Sequence, residues 1–205
     1  MENACIKIGI MGGTFNPIHN GHLILADTAF RKLALDKVLF IPSGNSYMKE
    51  NVLETKKRVE MVRLAIEKYP QFALSLIEAD RQGNSYTSET LERLTEENPN
   101  ACYFLIMGAD SLFQIETWFQ PEKIFSLAKI VCTVRDNYDM DKIRKKGQQL
   151  RKQLGADIIY LDMPKIELSS TDIRAKVKKQ LSILEDVPAE VAAYIQREQL
   201  YYEKD

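Results

Sequence analysis

Gly12-Gly13-Thr14-Phe15-Asn16-Pro17-Ile18-His19-Asn20-Gly21-His22 is a glycine-rich turn set between a strand and a helix. Before it, Ile6 to Met11 is a continuous apolar run that reads as a buried strand, halted by the two glycines. After it, Asn20 to Leu35 places Leu23, Ala26, Phe30 and Leu33 at helical spacing. A second short apolar run, Lys37 to Ile41, ends at Pro42. Strand, helix and strand in that order predict a βαβ unit, hence a parallel sheet with right-handed crossovers.

The alternation continues. Helices are predicted over Thr55 to Tyr69, Ser88 to Glu97, Asp141 to Leu154, Thr171 to Lys179 and Pro188 to Glu198. Ile115 to Leu127 reads as helical with an interruption at Pro121. Strands are predicted over Phe72 to Ile77, Tyr103 to Met107, Lys129 to Val134 and Ile158 to Leu161. The sum is one doubly wound, mostly parallel α/β domain over 1–205, closed by C-terminal helices. In such sheets ligands bind beyond the carboxyl ends of the strands. The polar segments Gly12 to His22, Pro42 to Lys49, Glu78 to Thr90, Gly108 to Trp118 and Ile166 to Arg174 all fall there.

The first of these carries chemistry. Two glycines let the backbone turn and approach a ligand closely. The helix starting near Asn20 offers an anion site at its N-terminus. His19 and His22, the only histidines of the chain, are three apart and share a face if the helix begins there. The Gly-Lys-Ser/Thr ending of a phosphate-binding P-loop is missing, and so is the G-x-G-x-x-G dinucleotide fingerprint. An anion site armed with two imidazoles suggests phosphate chemistry, with charge developing on a transferred phosphoryl group.

The segment resembles the GGxFxPxHxGH signature of the HxGH nucleotidyltransferases, which move AMP or CMP from a nucleoside triphosphate to a phosphate acceptor. Ser169-Ser170-Thr171-Asp172-Ile173-Arg174 is similar to that superfamily's ISSTxxR motif, with Leu168 in place of its isoleucine. Arg81-Gln82-Gly83-Asn84-Ser85-Tyr86-Thr87, with Thr90-Leu91 after it, resembles a segment of the bacterial nicotinate-nucleotide adenylyltransferases. The likeness continues through Gly108-Ala109-Asp110, Trp118 and Val187-Pro188 to Tyr194-Ile195. It implies a Rossmann-like fold and AMP transfer from ATP to nicotinate mononucleotide, with magnesium travelling on ATP. It also implies roles. His19, His22 and Arg174 would be catalytic. Gly12, Gly13, Thr14, Phe15, Gly108, Asp110, Ser170 and Thr171 would join them around ATP. Ser85, Tyr86, Thr87 and Trp118 would hold the acceptor, with Trp118 stacked on its pyridine ring. The family's Pro-Pro-His-Lys-like stretch is replaced by Pro42-Ser43-Gly44-Asn45-Ser46-Tyr47-Met48-Lys49, which leaves Lys49 for its phosphate-facing role.

Bulk properties narrow the field. With 28 Lys+Arg against 29 Asp+Glu, net charge −1, no chain-wide polyanion surface is implied. The basic run from Lys142 to Lys152 reads as a solvated helix face rather than an RNA-binding module. No apolar run reaches a membrane span and no signal peptide is expected, so a cytoplasmic protein is. Cys5, Cys102 and Cys132 lack metal-ligand spacing and read as buried reduced thiols, and no resident metal site is expected. Rival readings are a pantetheine-phosphate or nicotinamide-mononucleotide adenylyltransferase, and a nucleotide-sensing protein without turnover. A homo-oligomer stays open.

Overall fold

The computed structural model describes residues 5–44, 52–81, 83–135, 139–163 and 167–202. Six parallel strands form one sheet: β1 (Ile6–Gly13), β2 (Lys37–Pro42), β3 (Phe72–Leu74), β4 (Ala101–Gly108), β5 (Ala128–Arg135) and β6 (Ile158–Met163). Their order across the sheet is β3-β2-β1-β4-β5-β6. The order reverses between β1 and β4, so the connections leave those two strands in opposite directions and open a crevice at their carboxyl ends. β1 is fixed on both sides: Ile10 lies opposite Leu39 of β2 and Leu105 of β4.

The strands were legible because both faces of the sheet are covered, which makes each a near-continuous apolar run. Alternate residues feed two cores. Met11, Phe40, Phe104 and Val131 pack with α1 (Asn20–Leu33), α2 (Thr55–Ile66), α7 (Ser170–Lys178) and α8 (Ala189–Arg197). Ile10, Ile41, Leu105 and Ile130 pack on the other face with α3 (Thr87–Glu97), α4 (Ala109–Gln114), α5 (Pro121–Leu127) and α6 (Met140–Leu154). This is the α/β doubly wound architecture that the sequence implied.

Local departures have local causes. β1 runs through both glycines instead of stopping before them, since Gly12 and Gly13 stay in register with Ile41 and Pro42. β3 ends at Leu74 because it is an edge strand and its apolar run continues into a loop. The stretch from Ile115 to Leu127 breaks into a 3₁₀ turn at Ile115–Thr117 and α5, with Gln120 in the left-handed region before Pro121. Helix α6 is not wholly solvated. Ile143, Gly147 and Leu150 form a buried stripe, while Asp139 caps its start through the amides of Asp141 and Lys142. Its last turn closes on Gly155 at φ 69°, a left-handed position suited to glycine.

The cysteines correct an expectation. Cys5 and Cys102 are joined as a disulfide, and neither is fully buried. They stand 97 residues apart in sequence, but β1 and β4 are neighbours, which brings their Cα atoms to 5.9 Å. Cys132 alone is a buried free thiol, and burial pushes its pKa up to about 12.

Ile130 is fully buried on β5 between β4 and β6, whereas Leu184 is 65% exposed. Ile130→Ala is therefore expected to lower unfolding free energy by about 2–4 kcal/mol, through lost transfer energy and a residual cavity. Leu184→Ala should stay within about 0.5 kcal/mol of the parent. Urea denaturation of the two variants checks both; equal losses would contradict this assignment of the core.

Candidate active site

The crevice between β1 and β4 is walled by the loop 14–19, which leaves β1 and enters α1. Phe15 sits in it at φ 48° with its ring buried, and its edge meets the His22 ring at 5.1 Å between centroids. His19 is the N-cap of α1 in extended conformation, and His22 lies one turn on. The two rings come together at 3.8 Å between centroids, tilted by 30°. The backbone N–H of His19 donates to Nδ1 of His22 at 3.2 Å. A neutral imidazole accepting at Nδ1 carries its proton on Nε2, so His22 is set as a donor from its outer nitrogen. Two amides of the first turn are already engaged: Asn20 N–H with the Asp186 carbonyl, and His22 N–H with the His19 carbonyl.

The second motif closes on the first. Ser169 caps α7, its hydroxyl oxygen accepting from the Asp172 amide at 3.1 Å. The next residue, Ser170, donates from its hydroxyl to the Pro17 carbonyl at 2.8 Å. Arg174 donates through Nη1 to the Asn16 carbonyl at 2.8 Å and through Nη2 to Thr171 Oγ1 at 3.3 Å. Residues more than 150 positions apart thus share one wall of the crevice. Tyr201 adds a third tie, its hydroxyl donating to Asn16 Oδ1 at 2.8 Å. Burial pushes that phenol well above its ordinary range, despite the opposing charges of Arg174 and Arg58. Gly108 ends β4 and caps α4, which places Asp110, exposed, in the first turn at the other side of the crevice.

The segment 83–90 forms the neighbouring wall. Ser85 Oγ accepts from the Gly44 amide at 3.2 Å. Tyr86 is the N-cap of α3 and Thr87 its first residue. Behind them the half-buried Glu78 accepts from the Thr90 hydroxyl at 2.8 Å. Burial pushes the Glu78 carboxyl up, against the pull of that bond and of Arg81. The Tyr86 ring lies 4.5 Å from the ring of Phe119, so Trp118–Phe119 and Ser85–Thr87 face each other. Trp118 is half-buried against the α3–α6 core, a position between the two expectations of pure core and open loop. Ion pairs hold this wall: Glu116 with Lys146 of α6 at 2.7 Å, and Lys123 of α5 with Glu92 of α3. Among the described residues no three His, Cys, Asp or Glu side chains come together to hold a metal.

The structure brings together His19, His22, Ser170, Thr171 and Arg174, and separately Ser85, Tyr86, Thr87 and Trp118. Lys49 lies outside the described residues. Sequence reading missed Phe119, whose only signal was its place beside Trp118. It also missed Arg58, which reads as one more exposed charge on a helix and is in fact 1% exposed.

Comparison with known proteins gives concordant results. The chain matches the cytidylyltransferase-like family over residues 10–176. It is 40% identical over 197 residues to a protein of Lachnoclostridium phytofermentans named as a probable nicotinate-nucleotide adenylyltransferase, covering 95% of this chain and 98% of that one. A protein of the same name from Clostridium tetani is 41% identical over 197 residues, with the same coverage. Among solved structures, the Plasmodium falciparum nicotinic acid mononucleotide adenylyltransferase complexed with NaAD matches with a TM-score of 0.80 at 20% identity, over 95% of this chain and 97% of that one. At that identity the last match bears on the fold alone. Sharing about two residues in five with these relatives over nearly their whole length, the chain belongs to the cytidylyltransferase-like family and, within it, to the nicotinate-nucleotide adenylyltransferases.

Proposed function

We propose that the protein transfers AMP from ATP to the 5′-phosphate of nicotinate mononucleotide, forming deamido-NAD and pyrophosphate, a step of NAD biosynthesis in the cytoplasm. The observation that carries this reading is that Ser170 and Arg174 are bonded to the Pro17 and Asn16 carbonyls, in the loop that leads directly into the paired histidines. An acceptor phosphate oxygen attacks the α-phosphorus of ATP, and the bond from that phosphorus to the bridging oxygen breaks, so pyrophosphate leaves with the electron pair. The acceptor is already an anion, so no protein nucleophile is required. Catalysis then rests on alignment and on charge stabilisation.

His22, donating from Nε2, and His19 beside it stabilise the oxygens that gain charge. Arg174 presents a guanidinium fork suited to pyrophosphate, with Ser170 and Thr171 next to it. Gly12, Gly13, Thr14 and Phe15 shape the floor under the nucleotide. Gly108 gives access at the end of β4, and Asp110 accepts from ribose hydroxyls. Ser85, Tyr86, Thr87 and Trp118 receive the acceptor, and Lys49 is assigned to its phosphate. Magnesium would accompany ATP as its counter-ion and would supply charge neutralisation on the triphosphate, bound mainly through phosphate and water rather than by side chains. Pyrophosphate release from ATP, measured with nicotinate mononucleotide, nicotinamide mononucleotide and phosphopantetheine as acceptors, tests the whole reading. Release with none of them would exclude it.

His22→Ala is expected to lower kcat by roughly a hundred- to a thousandfold with an unchanged circular-dichroism spectrum, as when one preorganised donor is lost. Turnover within about threefold of the parent would remove His22 from the reacting phosphates.

Trp118→Ala is expected to raise KM for the acceptor by about three- to tenfold while sparing KM for ATP, the loss of an aromatic stack. A drop in melting temperature with unchanged kinetics would return Trp118 to the core.

Nicotinate mononucleotide should be preferred over its amide by about a hundredfold in kcat/KM. Amides at the start of α3 favour a carboxylate, and an NH₂ group would set donor against donor. The ratio of the two kcat/KM values at fixed ATP measures this; a ratio near unity would leave adenylyl transfer standing without the acceptor assignment.

A further inference from the structure

Arg58, on α2, is the largest fully buried side chain among the described residues. Its guanidinium donates to four neutral acceptors. Nε reaches the Leu53 carbonyl at 2.9 Å and Nη1 the Thr14 carbonyl at 2.8 Å. Nη2 reaches both the Gly44 carbonyl and Thr55 Oγ1 at 2.9 Å. An arginine keeps its charge in any environment, and burying that charge against neutral partners is unfavourable compared with an apolar side chain. What the rigid fork provides is geometry: one plane fixes carbonyls from three separate backbone segments.

Two of those segments belong to different halves of the site. Thr14 lies in the loop beyond β1. Gly44 lies beyond β2, and its amide donates to Ser85 Oγ at 3.2 Å. Gly44 also abuts the Glu78 carbonyl so closely that a Cβ there would collide with it. The sequence of contacts is therefore Thr14, Arg58, Gly44, then Ser85, with no compliant side chain between the guanidinium and the acceptor wall except the serine hydroxyl itself.

We propose that Arg58 is a positioning residue that sets the separation between the nucleotide loop and the acceptor segment. The assignment rests on the adenylyl-transfer reading, which places ATP against the first and the mononucleotide against the second. In-line attack needs those two ligands at one mutual distance, and neither half can fix it alone.

A dinucleotide product spans both halves at once, whereas ATP and the mononucleotide each occupy one. Arg58→Lys keeps the charge and loses the fork. Calorimetry should find the dinucleotide weakened at least about twentyfold in this variant, with ATP and the mononucleotide each within about threefold of the parent, since joined ligands lose their advantage when their sites no longer match the span. Equal losses for all three ligands, or none for the dinucleotide, overturn the proposal. Should Arg58→Lys fail to fold, Gly44→Ala displaces the same junction with the charge intact, and it carries the same expectation and the same refutation. The dinucleotide used is the product of whichever acceptor supports pyrophosphate release in the parent. A wrong acceptor therefore changes the probe, and the two readings fail separately.

Discussion

The oxygens of Asn16 and Pro17 accept hydrogen bonds from elements that are remote in the chain: Arg174 and Ser170 on α7, and Tyr201 beyond α8. These bonds hold the loop between β1 and α1 as one wall of a crevice rather than a mobile tip. The peptide between the two residues is cis. The loop in turn fixes where α1 begins, and the start of α1 fixes the histidine pair. Asn20 is pinned twice more, by its amide to the Asp186 carbonyl and by its side chain to the Glu185 carbonyl. Asp186, only 5% exposed, is itself held by Lys176 at 2.6 Å. The position of two imidazoles is thus set by a network whose members come mostly from the C-terminal third.

The opposite wall is built on another principle. Side-chain ion pairs and ring packing dominate there, linking α3, α5, α6 and the 3₁₀ turn. Exposed ion pairs contribute little to stability. Lys146 is different, with its side chain only 10% exposed while it reaches Glu116, two residues before Trp118. The wall beside the histidines is tied mainly through backbone carbonyls, and the wall around Tyr86 and Phe119 mainly through side chains.

Much of this was legible in the sequence, and the reasons differ by feature. Strands β1, β4 and β5 were visible because burial on both faces leaves an unbroken apolar signature. The glycine loop with its two histidines stood out because those residues have few other reasons to be arranged that way, whereas Ser169 to Arg174 reads alone as an ordinary capped helix and stood out only by its resemblance to a family motif. Arg58 was not visible, since nothing in a helix sequence distinguishes a solvated arginine from one whose acceptors come from loops elsewhere. Nor was the Cys5–Cys102 pairing, which depends on β1 lying beside β4. Nearest-neighbour patterning carries the elements; it does not carry which remote carbonyl an amide or guanidinium will meet. The ties from Asn20 to Asp186 and from Tyr201 to Asn16 belong to that second class.

The bond from Tyr201 to Asn16 joins positions 185 residues apart, and this has a bearing on biosynthesis. At translation rates of about 5–20 residues per second, roughly ten to forty seconds separate the emergence of Asn16 from that of Tyr201. For most of that interval the loop has neither Arg174 nor Tyr201 to close upon, and Tyr201 is the later of the two to arrive. β1 likewise waits for β4 before it is covered on its second edge. A nascent chain therefore has its glycine loop and both histidines from the outset, yet acquires the bonds that fix that loop only once the far end has been made. Partly synthesised or C-terminally clipped forms that lack Arg174 and Tyr201 should carry both histidines on a loop without its anchors.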